Sequence, residues 1–352
     1  MVHDFSPFLI QFSDTFGVRW YGLSYIMGFI AAYLLMVWLS HRQRTEMNSE
    51  LVGDFITYIA IGTLVGGRLG YCLFYSPDLF TKFKESFPYW GVLAVNEGGM
   101  ASHGGMIGIT VACLLFARKH HLNVLHLFDL VTISGPIGVF FGRIANFING
   151  ELVGRPAPPD FPLAVKFPQD MWSWAGEDLG KFRDITGIVE KLGVSRDQWN
   201  QLLERFTLSG EARNEVYEIV TKIINEIQNG NTAIKTEIAP FLIARYPSQL
   251  FEAVGEGLLV FLILFFLWRR PRKSGFIASM FCVLYGIFRI IGEQFRMPDA
   301  HIGFQLFGMT RGQWLSIALV AIGLFLMFWW SRTTTMVTQG WGKVHSIKLS
   351  RK

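Results

Sequence analysis

Seven apolar runs, separated by short charged loops, constrain this chain more than any other feature. They span Gly17 to Leu39, Leu51 to Tyr75, Gly104 to Phe116, Leu127 to Phe147, Gln249 to Trp268, Phe276 to Phe295 and Trp314 to Trp330. Most are long enough to cross a hydrocarbon layer of about 30 Å as a helix. Lipid offers no partner to a backbone N–H or C=O, so such a run must satisfy its own hydrogen bonds, and a helix does this within one segment. With 51% hydrophobic and only 17% charged residues among 352, the composition lies outside the soluble globular range. The expectation is an all-α polytopic membrane protein of about seven transmembrane helices. The third run is short for a span and is expected to begin before His103 or to enter from a re-entrant loop.

The basic residues punctuate the chain instead of forming a patch, which argues against nucleic acid as a partner despite a net charge of +5. "HRQR" follows the first run, "ARKHH" the third, "WRRPRK" the fifth and "SR…GKVHSIKLSRK" the seventh, whereas the alternate loops are poor in Lys and Arg. Lys and Arg of short loops stay on the cytoplasmic side, which predicts an external N-terminus and a cytoplasmic C-terminus. The opening "MVHDFSPFLIQF" lacks the basic start and small-residue cleavage site of a signal peptide, so the first span would serve as the targeting signal. Trp20, Trp38, Trp268, Trp329 and Trp330 fall near run ends, where an interfacial aromatic belt is expected.

Asn149 to Ser248 breaks the pattern with charges of both signs. It predicts a soluble, mainly helical external head domain, dividing the chain into 1–148 (four helices), 149–248 (signature loop and head) and 249–352 (three helices and a basic tail). Within the head, Ser195 reads as a helix N-cap with Gln198 in the capping-box position. Val216, Ile219, Val220, Ile223, Ile224 and Ile227 form an apolar stripe that stops at Gly230 and is expected to pack inside the head. Cys72, Cys113 and Cys282 all lie in apolar runs and offer neither a disulfide framework nor metal-ligand spacing.

Ionisable residues inside the runs are expensive and usually face the bundle interior or a site. Those singled out are Asp54, Arg68, Asp129, Arg143, Arg289, Glu293 and Arg296. Arg289, Glu293 and Arg296 are spaced i, i+4, i+7, and Tyr285 extends that face by one turn. Arg143, Asn146 and Gly150 repeat the device, as do Arg68, Tyr71 and Tyr75. Four arginines against two aspartates and one glutamate leave a cationic excess, which calls for an anion. Arginine suits phosphate, because its planar fork makes bidentate, charge-assisted bonds. A lipid head group and a transported solute both supply such an anion. His103 stands in the glycine-dense "NEGGMASHGG", at the expected membrane level of Asn149 and Glu151, and is a candidate proton acceptor. No metal-ligand cluster is evident, and no metal or other cofactor is expected.

"GRIANFINGELVG", residues 142–154, resembles the signature of the prolipoprotein diacylglyceryl transferase family, matching at Gly142, Arg143, Ala145, Asn146, Phe147, Asn149, Glu151 and Gly154. "RWYGLSYIMGF", "GGRLGYCLFY", "EGGM" with "HGG", "YPSQLFE" and "YGIFRIIGEQFRMPDA" extend the likeness over nearly everything except the head. The resemblance implies a bacterial inner-membrane enzyme that moves the diacylglyceryl group of phosphatidylglycerol onto the lipobox cysteine of a lipoprotein precursor, giving a thioether and glycerol phosphate. Carried over by position, Arg143 and Arg289 would bind the phosphate and His103 would be the base. Tyr21, Asn146, Glu151, Gly154, Tyr285 and Glu293 would be further functional positions, and Arg68, Arg296 and Asn149 join the substrate-binding set. Tyr246 departs from the pattern, where a histidine is associated with the family, and receives no catalytic role.

The chemistry fits. A thiol with a pKa of about 8.5 needs a base or a cationic neighbour at neutral pH. Cleavage of the carbon–oxygen bond turns a singly charged phosphodiester into a monoester carrying up to two charges, so arginines hold the departing group more tightly than the substrate. The competing reading is a transporter or flippase for anionic lipids or solutes, but no repeated half is apparent. A phosphotransferase would want clustered aspartates for metal, which are absent.

Overall fold

The computed structural model describes residues 1–12, 17–85, 87–95, 98–158, 160–298 and 303–342. The basic tail from Lys343 onward lies outside the described residues, as do Glu97 of the glycine-dense stretch and Asp299 and Ala300. Each of the seven apolar runs folds as helix, with ends displaced by a few residues. They are α1 (Trp20–His41), α2 (Ser49–Phe74), α3 (Ser102–His120), α4 (Val124–Asn149), α11 and α12 (Ser248–Glu252 and Val260–Leu267, joined by a π-helical Ala253–Leu259), α13 (Phe276–Gly292) and α14 (Arg311–Thr333). Five are long and apolar enough to cross a membrane: α1, α2, α4, the Ser248–Leu267 run and α14. The chain is therefore a helical membrane protein. α13 is apolar but shorter, and α3, which begins at Ser102 just before His103, ends on Arg118, Lys119 and His120.

Contacts divide the chain into two compact units. One comprises Met1–Tyr25, Phe140–Gly255 and Phe288–Leu315. Its helices α5 (Met171–Glu177), α6 (Gly180–Asp184), α7 (Thr186–Lys191), α8 (Arg196–Arg205), α9 (Gly210–Gln228) and α10 (Thr232–Ile238) enclose a dry core that includes Trp174, Phe182, Trp199, Val216, Ile223 and Ile227. Burying each such side chain contributes about 1.5–3 kcal/mol. The caps are written in the sequence: Ser195 accepts the Gln198 N–H at 3.3 Å, and Asn231 accepts that of Ile234 at 3.2 Å. The stripe on α9 packs inward and the chain turns at Gly230 (φ +91°).

The N-terminus is stitched to this unit. An antiparallel strand pair, Val165–Lys166 with Ala244–Arg245, is flanked by Val2, and the His3 N–H donates to the Lys166 carbonyl at 2.8 Å. His3 is buried among Phe5, Phe147 and Phe167, and its Nε2–H donates to the Phe147 carbonyl at 2.7 Å. Burial lowers its pKa from 6.5 to about 4, outweighing that hydrogen bond and nearby Asp4, both of which raise it. The folded state thus binds fewer protons than the unfolded state. The stabilisation is complete above pH 6.5 and is lost as pH falls toward 4, by about 3 kcal/mol in all for this one group. Thermal melts of the detergent-solubilised protein should show that loss between pH 6.5 and 4.5, and a His3→Gln variant should flatten it. An equal slope in the variant would assign the loss elsewhere.

The other unit comprises Ile26–Val139, Glu256–Ile287 and Ser316–Lys352. Its α2 and α3 touch backbone to backbone. A Cβ on Gly104 or Gly108 would strike the Gly66 or Gly62 carbonyl, so only glycine permits the approach. Asp129 of α4, fully buried, caps α13 from outside that helix, accepting the N–H groups of Gly275 and Ala278 at 2.8 Å each. This accounts for a buried aspartate in an apolar run: it answers helix-end donors that otherwise have no partner.

Candidate active site

Arg143 sits in the last two turns of α4, Glu252 ends α11, Arg289 is one turn from the end of α13, and Glu293 and Arg296 follow it. All belong to one unit, and their side chains meet. Arg143 Nη1 lies 3.0 Å from Glu252 Oε2, and Arg289 Nη1 lies 3.2 Å from Glu252 Oε1. Arg289 Nη2 is 2.8 Å from Glu293 Oε1, and Arg296 Nη1 is 3.9 Å from Glu252 Oε1. The Thr310 hydroxyl donates to Glu293 Oε2 at 2.8 Å. Burial is asymmetric: the Glu252 and Glu293 side chains are 0% and 5% exposed, those of Arg143, Arg289 and Arg296 14%, 16% and 11%. The carboxylates are thus more deeply buried than the arginines that converge on them. Three arginines and two glutamates carry a formal +1. An anion reaching this face meets forks already held in place, so little reorganisation is needed to bind it.

Two expectations are corrected here. α13 ends at Gly292, so Arg296 does not continue the helical face of Tyr285, Arg289 and Glu293. It lies in extended chain that bridges Gly154, and its side chain reaches the cluster from there. The count of charges inside the apolar runs also omitted Glu252 and Glu256, both within the fifth run and both buried. Glu252 is the shared counterion of the cluster. The clue was available, since a glutamate in "YPSQLFE" stands among residues that lipid does not tolerate.

Beside the cluster the chain turns through Gly150 (φ +67°) and Leu152 (φ +54°). Asn146 Nδ2 and Asn149 Nδ2 donate to Glu151 at 3.4 and 3.3 Å, so Glu151 belongs to an amide network. Gln249 donates to the Glu151 carbonyl at 2.5 Å. Gly154 is buried, and a Cβ there would collide with the Tyr246 and Phe295 carbonyls, so its requirement is close backbone approach. Arg155, not singled out from the sequence, fastens this segment behind the arginines. Its N–H donates to the Phe295 carbonyl (2.7 Å), Nε to that of Arg296 (3.0 Å) and Nη2 to that of Glu293 (3.2 Å). Tyr246 packs its ring on Phe161 and Phe295. Tyr21, near the start of α1, packs against Tyr25 with the rings tilted and their centres 5.6 Å apart.

The remaining expected residues lie in the other unit. His103 is exposed in the first turn of α3. Arg68 is buried and donates to backbone: Nε to the Val92 carbonyl (2.8 Å), Nη2 to Gly91 (2.7 Å) and Nη1 to Gly98 and Gly99 (2.5 and 2.9 Å). It fixes the loop that leads into α3 and His103. Tyr285 stacks on Phe281 at 5.4 Å. Among the described residues no group of three or more His, Cys, Asp or Glu is placed to hold a metal ion.

Residues 7–329 match the family model described as prolipoprotein diacylglyceryl transferase. The chain is 63% identical, over 352 residues covering all of both sequences, to a protein of Bdellovibrio bacteriovorus named phosphatidylglycerol–prolipoprotein diacylglyceryl transferase. Proteins of the same name from Burkholderia thailandensis (34% identical, 93% of this chain and 95% of the relative) and Rhodospirillum rubrum (35%, 90% and 89%) are also similar.

Proposed function

The chain belongs to the prolipoprotein diacylglyceryl transferase family, and on that premise we propose that it transfers the diacylglyceryl group of phosphatidylglycerol to a prolipoprotein, with the arginine–glutamate cluster gripping the lipid phosphate. The observation that carries the reading is the convergence of three arginines on two buried carboxylates, with more positive than negative charge. The acceptor is the thiol of the lipobox cysteine. Its sulfur attacks the glycerol carbon bonded to the phosphate oxygen; the carbon–sulfur bond forms, the carbon–oxygen bond breaks, and glycerol phosphate leaves. Arg143 and Arg289 hold the phosphate and gain strength as its charge rises, which lowers the barrier to this step. Glu252 and Glu293 hold the forks in register, Arg296 completes the field, and His103 takes the thiol proton. Asn146, Asn149 and Glu151 shape the turn beside the head group. Tyr21 and Tyr285 complete the contacts to the lipid, Gly154 keeps the backbone close, and Arg68 acts through the loop before His103.

The enzyme resides in the bacterial inner membrane with seven spans, a site open to the external side, a soluble head at 149–248 and a cytoplasmic C-terminus. The charge alternation of the loops supports this orientation. Incubating the purified protein with a lipobox peptide and phosphatidylglycerol should add the mass of one diacylglyceryl group to the peptide. An unmodified peptide with lipid moved between leaflets would replace transfer by transport.

A further inference from the structure

The unit of Ile26–Val139, Glu256–Ile287 and Ser316–Lys352 carries a second cationic surface that the transfer reaction does not use. Arg42, Arg269 and Arg270 are exposed just beyond the ends of α1 and α12, Arg332 in the last turn of α14, and Lys273 on the Arg272–Lys273 strand. These ends are tied together. Trp341 stacks on Phe265 at 4.6 Å and lies 6.2 Å from Trp38; its indole N–H donates to the Phe265 carbonyl at 2.6 Å, and its backbone N–H to that of Trp268 at 3.1 Å. Arg272–Lys273 pairs with Val337–Thr338, and Lys273 Nζ donates to the Ser331 carbonyl at 2.6 Å.

Among the described residues none of these five cations has a carboxylate partner, and the nearby acids Glu46, Glu50 and Asp54 line their own hollow at the start of α2. Three guanidinium groups instead rest on rings: Arg42 over Trp38 at 4.4 Å, Arg332 over Phe328 at 4.9 Å and Arg269 over Trp341 at 6.0 Å. A ring face orients the fork without consuming its N–H donors. Retention of positive charge during insertion explains the sign of this end. It does not require the cations to be gathered on a tied-together frame and left unpaired.

We propose that this end of the unit binds anionic lipid head groups of the adjacent leaflet, at a site separate from the Arg143 cluster. The frame is continuous with helices that cross the bilayer, so its cations stand at head-group level, and a phosphodiester there meets positive charges that no carboxylate neutralises.

The test uses the full chain in neutral detergent, titrated with phosphatidylserine or phosphatidylcholine, with bound lipid counted by native mass spectrometry. Phosphatidylserine avoids the reaction's own substrate. The variant Arg270→Gln/Lys273→Gln/Arg332→Gln is expected to bind phosphatidylserine about a hundredfold more weakly, at about fivefold per charge. Its phosphatidylcholine binding and its transfer turnover should not change. Arg270→Lys/Arg332→Lys should stay within about threefold of wild type, because the attraction depends on positive charge near the membrane surface. Unchanged phosphatidylserine affinity in the glutamine variant would overturn the proposal. So would displacement of the lipid by millimolar inorganic phosphate, which would make this a small-anion site. Should the triple variant lack turnover and so be misfolded, Arg270→Gln alone is expected to lose about fivefold, and no loss there overturns the proposal equally.

Discussion

Arg143→Ala is expected to lower diacylglyceryl transfer by about 10²- to 10³-fold, the usual cost of removing one donor aimed at developing charge. The fold should survive, because Glu252 keeps Arg289 at 3.2 Å and Arg296 at 3.9 Å as counterions. The phosphate carries one charge in phosphatidylglycerol and up to two in glycerol phosphate. Most of the lost interaction is therefore specific to the transition state, and kcat and kcat/KM should fall together while KM changes little. Arg143→Lys keeps the charge but not the fork, so an intermediate loss is expected. Steady-state rates with a lipobox peptide, alongside a melting curve, check both points. Full turnover by a folded Arg143→Ala protein would remove this side chain from the chemistry.

Much of this arrangement was legible because lipid punishes exceptions. An arginine such as Arg143 in an apolar run had to be explained, and so did Arg289 with Glu293 one turn away; the structure joins these two as an ion pair at 2.8 Å. Periodicity also located the stripe on α9 and its caps, since those depend only on neighbours in sequence. What depended on distant partners was not legible. Arg68 and Arg143 are alike as letters, yet Arg68 bonds the carbonyls of a loop 23 to 31 residues away, while Arg143 reaches a carboxylate on another helix. Helical spacing placed Arg296 on the Arg289 face, although the chain leaves the helix at Gly292 to pair with Gly154. Arg155 gave no signal at all, because its partners are backbone carbonyls that no side-chain pattern records.

Glu252 shows the same limit in its most consequential form, and its removal should be the most damaging change to the fold. Glu252→Ala would take from Arg143, Arg289 and Arg296 the carboxylate that all three share. Stripping one partner from a buried ion network costs about 3–5 kcal/mol, because the remaining charges stay desolvated. That is a large share of the stability of most domains. Glu252→Gln is nearly isosteric but replaces one accepting oxygen by an NH₂ that points its hydrogens at guanidinium groups. It too should destabilise, and turnover should fall because the forks lose their register. The decisive comparison is Glu252→Gln/Arg296→Gln. If mutual repulsion is the cause, removing one of the three cations should recover part of the lost melting temperature without restoring full activity. If the double variant melts no higher than Glu252→Gln alone, the cost lies in packing, and Glu252 would not be the electrostatic keystone of the cluster.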